Sequence, residues 1–135
     1  MAFTFSHKLS GGAPTIVDIP LKSGSVIVAG SLVNLESGTL DEAATADTAL
    51  VGIALQTKTY AAATDTVPCI IDPDAVYSIV DANARVAGAT LDIASDGSAI
   101  ASSSNTDVIV VYPSAATEPT QVMIIRTSHY LGAAV

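Results

Sequence analysis

The sequence predicts an all-β protein, a small barrel or sandwich with at most one short helix. Three observations carry that expectation. Val and Ile dominate the large aliphatics, and β-branched residues suit the pleated surface of a strand. Apolar runs are short and bounded by Gly, Pro, Asp and Ser at close spacing, as in sandwiches and barrels. Glu and Lys, both good helix formers, are scarce.

The predicted strands run Thr15–Leu21, Ser25–Ala29, Leu32–Leu35, Leu50–Gln56, Val67–Ile71 and Val76–Val80, then Thr90–Ala94, Asp107–Tyr112 and Gln121–Thr127. Glu36-Ser37-Gly38 supplies a turn after the third. Asp96-Gly97 is a hairpin signal, since both residues tolerate positive φ. Leu40–Ala49 is the one candidate helix, with Thr39 or Asp41 as N-cap and two acids in its first turn. Its shortness and its threonines leave an extended connection equally open. Val108–Tyr112 is apolar at every position, so it expects cover on both faces, from a second layer or another subunit.

A repeat emerges from the two turns. Ala29-Gly30 and Ala87-Gly88 each open a strand carrying Asn34 or Asp92. A Gly comes next, at 38 or 97, then a small-residue linker and an apolar strand. By residue type Leu50–Ile53 matches Ile109–Tyr112, with the offset drifting from 58 to 59. One strand–turn–linker–strand unit is expected to occur twice.

Residues 1–14 differ in character and are expected to form a flexible N-terminal arm, with 15–135 as a single β domain. The arm holds both phenylalanines, Phe3 and Phe5, then His7 and Lys8, ahead of Gly11-Gly12 and Pro14. Phe3 and Phe5 stand at i and i+2, on one face of an extended chain. Phe3, Phe5, His7 and Lys8 are the candidate partner-binding residues, through strand addition to a neighbour. The competing expectation is that the segment is the first strand of the domain's own sheet.

The composition narrows the chemistry. With 5 basic against 13 acidic residues, net -8, and the basic ones dispersed, neither nucleic acid nor an anionic membrane is an expected partner. The single Cys69 excludes an intramolecular disulfide framework. Cys69 with His129 is the one nucleophile–base pair to weigh, against Cys69 as a small buried hydrophobe. Asp72, Asp74 and Asp81, or Asp41, Glu42 and Asp47, lack the spacing of a calcium loop and read as turn formers. No G-x-S-x-G and no phosphate-cradling loop occurs. The expectation is a protein that is not an enzyme and carries no cofactor or metal. The start of the chain lacks a basic segment leading into an apolar one, so cytoplasmic synthesis without a signal peptide is expected.

The segments PLKSGSVIVAG at 20–30 and ADTALVGIAL at 46–55, with the later AGATLDI at 87–93, resemble the head-decoration (capsid cement) proteins of tailed bacteriophages. The resemblance spans about residues 15–112. It implies a β-rich structural protein on the exterior of the virion. Such a protein would be a homotrimer bound to the major capsid protein, stabilising the expanded head without catalysis. The alternative is a secreted or surface β-sandwich module for adhesion or carbohydrate binding, which shares the Thr/Ser/Val composition.

Overall fold

The computed structural model describes residues 3–44, 47, 49–93, 97, 100–101 and 106–131. Thirteen strands account for the regular structure of these residues, with one 3-10 turn at Arg126–Ser128. They are β1 Thr4–Lys8, β2 Ile16–Pro20, β3 Val26–Ile27, β4 Leu32–Glu36, β5 Thr39–Glu42, β6 Leu50–Ile53 and β7 Lys58–Thr59. Then come β8 Thr66–Ile70, β9 Ala75–Val80, β10 Thr90–Ile93, β11 Ile100–Ala101, β12 Val108–Tyr112 and β13 Pro119–Ile124. The fold is all-β, and each of the nine expected strands has its counterpart.

Two expectations need correction. The candidate helix at Leu40–Ala49 opens as strand β5, which pairs antiparallel with β4 from Val33↔Glu42 to Glu36↔Thr39. The cause is the turn before it. Ser37 and Gly38 both take positive φ, +51° and +84°, the twist of a two-residue hairpin that returns the chain along β4. Leu40 is thereby fully buried. Residues 45, 46 and 48 of that segment lie outside the described residues, as does Asp96 of the expected Asp96-Gly97 hairpin. Gly97 has φ +69°, and its carbonyl accepts the Leu32 N–H at 2.9 Å.

The second correction concerns the arm. Residues 4–8 form an edge strand on β9, with Thr4↔Ser78, Phe5↔Tyr77, His7↔Val76 and Lys8↔Ala75 around a bulge. The partner strand is 67 or more residues away in sequence, beyond the reach of local pattern.

The ladders extend the repeat beyond the residues that suggested it. Gly30 and Gly88, both at φ +85°, donate to Ala54 O and Val110 O, each at 2.8 Å. Ala54 and Val110 donate back to Ser31 O and Ala89 O. β4 pairs β5 and β6, and β10 pairs β11 and β12. Leu32↔Ile53 corresponds to Thr90↔Ile109, and Ile27↔Lys58 to the isolated bridge Arg85↔Ser114. The flanking pair β2–β8 corresponds to β9–β13. Two units of one topology therefore succeed each other, and hydrogen bonding matches Ile53 to Ile109. That lies three residues from the match by residue type, because an Ala/Val/Ile alphabet aligns almost as well in several registers.

The units close differently. In the first, β2 pairs β8, and β8 meets β6 through Ala54↔Cys69. β6 pairs β4 and β4 pairs β5. β5 returns to β2 through Leu21↔Leu40. This circuit is a small barrel around Ile19, Leu21, Ile27, Val33, Leu40, Val51, Ala54, Val67 and Cys69. In the second, β1 stands beside β9 and the sheet stays open, in the order β1-β9-β13-β12-β10-β11. Its inner face, including Tyr77, Leu91, Val108, Val110, Val122 and Ile124, packs onto Leu32, Leu50, Ile53 and Ile70 from the outside of the barrel. This explains β6, buried at all four positions: Val51 faces one core, while Leu50 and Ile53 face the other.

Candidate functional site

The residues offered to a partner by the sequence are held by the chain itself. Phe3 is 1% exposed in the core between barrel and sheet, with its N–H on Gly30 O at 2.8 Å. Phe5 packs half-buried against the same core, opposite Tyr77. Asp72-Pro73-Asp74 then clamps residues 8–15. The Asp72 carboxylate takes Lys8 Nζ at 3.4 Å and the Thr15 N–H at 2.6 Å. The Asp74 carboxylate takes the Ser10 N–H at 2.8 Å, and hydrogen bonding from Ser10 holds its pKa below the ordinary value. Of the four candidates only His7 is exposed, its ring 2.9 Å from Ser6 Oγ. These acids tie the N-terminal segment to the β8–β9 connection, the structural role of turn-forming Asp.

The surface left open is the outer face of the six-stranded sheet. Alternation along the strands sends Phe5, Tyr77, Val122 and Val110 inward as one cross-strand row. The next row points out: Val76, Met123, Ile109 and Thr90. Val76 is sealed, while Met123 and Ile109 are half-buried. Ser78, Gln121 and Tyr112 form a parallel row, with Tyr112 66% exposed. At the end of the face, Leu9, Pro73, Asp74, Met123, Ile124 and Arg126 line an apolar cleft, and Leu9 is 59% exposed. The sequence predicted cover on both faces of 108–112. The chain supplies it on the inner face, and the outer face keeps Ile109 and Val111 half-exposed. Sequence reasoning passed over Leu9, Tyr112 and Met123, whose shared surface arises only from the β13–β12 and β13–β9 ladders.

The candidate nucleophile has no activated form. Cys69 is fully buried, its Sγ sits 3.5 Å from Val67 O, and burial pushes its pKa up to about 12. A thiolate, the nucleophilic form, is therefore disfavoured. His129 is buried too, and its Nδ1 accepts the Leu131 N–H at 3.0 Å. Desolvation holds its pKa below the ordinary value, which favours the uncharged ring. Native protein should accordingly resist Ellman's reagent at pH 8 and react fully once unfolded in guanidinium. Rapid native labelling would contradict this burial.

The other acids weighed as metal ligands, Asp41, Glu42, Asp47 and Asp81, have structural partners. Asp41 accepts Ser25 Oγ at 2.7 Å and lies 3.5 Å from Lys22 Nζ. Asp47 accepts the Ala44 N–H at 2.8 Å, and Asp81 pairs with Arg85 four residues on. Among the described residues no group of three or more His, Cys, Asp or Glu side chains converges on a metal-sized site.

No protein-family model matches the chain. No curated protein matches it. In fold it is similar to the crystal structure of the N base of the head fiber protein gp8.5 of bacteriophage phi29. The TM-score is 0.57 at 16% sequence identity, over 84% of this chain and 97% of that one.

Proposed function

We propose that this chain is a structural protein of a bacteriophage virion, mounted on the exterior of the head, and that it is not an enzyme. The observation that supports this most is the likeness in fold to the phi29 head fiber base, which covers nearly all of that chain. The sequence resemblance to head-decoration proteins points the same way from different evidence. In this reading the protein decorates or cements the expanded shell through the major capsid protein and assembles as a homotrimer. The outer face of the six-stranded sheet, with Ile109, Met123, Tyr112 and Leu9, is the contact surface. Charge there is sparse, so burial of apolar area drives attachment and salt weakens it little.

The test is co-sedimentation of the purified protein with expanded, undecorated phage heads, together with light scattering of the free protein. Specific, saturable binding and a trimeric mass are expected. A monomer that stays in the supernatant would overturn the reading. Two substitutions divide surface from core. Ile109→Asp should leave a folded, soluble protein that loses assembly or head binding. Ile124→Asp, buried on the inner face at 2% exposure, should not fold, because an unpaired buried carboxylate is costly.

A further inference from the structure

The end of the β10–β12 ladder brings two buried acids together. Thr90 pairs Ile109 and Leu91 pairs Val108, and Asp92 and Asp107 are the next residue on each strand. The regular register stops there, with the Asp107 N–H turned onto Leu91 O at 2.8 Å, and the two carboxyl groups lie within hydrogen-bonding reach of each other. Asp92 is 1% exposed and Asp107 4%. Asp107 Oδ1 accepts the Ser128 hydroxyl at 3.0 Å, whereas its Oδ2 is buried and meets no donor among the described residues. Asp92 Oδ1 accepts the Ile93 N–H at 2.7 Å. The first unit has the neutral Asn34 where the second has Asp92. Two adjacent carboxylates in a dry interior cannot both ionise cheaply.

We propose that Asp92 and Asp107 share one proton at the end of the β10–β12 ladder, and that its loss loosens the C-terminal turn, making the docking of that turn pH-dependent. The shared proton gives Asp107 Oδ2 the donor it lacks. The turn hangs on this residue twice, through Ser128 Oγ and through the Ile125 N–H on Asp107 O at 2.8 Å. Among the described residues, the other ionisable groups near the pair or the turn are Asp47, His129, Tyr130 and Arg126. Asp47 approaches from the β5–β6 connection and reinforces the repulsion. His129 on the turn faces Val51 and Ile71, where burial lowers its pKa, and Arg126 lies exposed at the turn's start. Burial first, then Asp92, pushes the Asp107 pKa up to about 6. A raised carboxyl pKa contributes stability that is fully present below its unfolded value and is lost as pH rises through the folded one. The window is therefore about pH 4 to 6.

The test combines a wild-type titration with one isosteric variant. Carbon-13 NMR of the side-chain carboxyls should show one member of the pair titrating near pH 6. Amide exchange at Ile125 should quicken over the same range, beyond the ordinary base-catalysed rise measured at strand amides of the first unit. Asp107→Asn, which keeps the Oδ1 acceptor and adds a donor, should flatten the fall in melting temperature between about pH 4 and 6. It should also melt several degrees above wild type at pH 7.5. Both carboxyls titrating below pH 4.5 would overturn the proposal, and the wild-type titration decides it even if the variant fails to fold.

Discussion

Replacing Gly52 by alanine should abolish cooperative folding. Gly52 lies in β6 at φ +152°, between the two cores. A Cβ built there would stand 2.0 Å from Ile70 O and 2.5 Å from the Tyr77 hydroxyl. The first obstacle is backbone of β8, which cannot swing aside as a flexible side chain would. Relief requires parting β6 from β8, the contact that closes the barrel. Overpacking a tight interior costs about 1–3 kcal/mol where neighbours can shift, and more where they cannot. A loss above about 4 kcal/mol is expected, a large part of the usual stability of a domain this size. Gly88→Ala is the control. It too has positive φ, but its Cβ would meet nothing within 4 Å, so only the backbone penalty of about 1–2 kcal/mol applies. Urea denaturation tracked by circular dichroism separates the two. A Gly52→Ala protein with a near-wild-type midpoint would contradict the packing described for β6.

Removing residues 2–12 should unfold the protein rather than free a folded body from a dispensable arm. The truncation takes Phe3 and Phe5 out of the main core, strips β1 from β9 and removes Lys8 and Ser10 from the Asp72–Asp74 clamp. Phe3→Ala alone is expected to cost about 3–5 kcal/mol. Without β1, the backbone of β9 is exposed as an edge, which invites aggregation. The expected outcome is insoluble protein, or soluble protein without a cooperative thermal transition. A truncated protein that melts cooperatively within a few degrees of wild type would restore the arm reading and return Phe3 and Phe5 to the partner surface.

How far the sequence could be read depends on what each signal measures. Nine strands were legible because β-branched runs of four to seven residues between turn formers carry their preference locally. β3 shows the limit: of the expected Ser25–Ala29 only Val26–Ile27 is laddered, so such a run fixes a strand's existence better than its length. β5 was hidden because Thr39–Glu42 carries helix-start chemistry, while the Ser37-Gly38 turn that overrides it acts by pairing the segment to β4. The repeat was visible at Ala-Gly and Gly38/Gly97, where positive φ favours glycine, and at the strand residues Asn34 and Asp92. Its third strand was misaligned where only apolar character is required. Cys69 was legible as a buried hydrophobe, since it lies in an apolar run.

The sequence by itself determined the fold class, the position of the turns, the duplication and the scarcity of chemistry-bearing residues, all properties of composition and short-range pattern. Tertiary structure alone decided which faces of the apolar strands are closed. Leu50 and Val51 are equally apolar neighbours, yet one enters the core between the units and the other the barrel. Phe3 reads as an exposed anchor until β9, more than seventy residues later, provides its sheet. Asp92 and Asp107 read as unrelated acids until the end of the β10–β12 ladder brings their carboxyl groups together. Side-chain type fixes what a residue prefers to contact. Only the closing of long loops into ladders fixes which neighbour it receives, and that choice rests on the combined burial of both units rather than on any segment alone.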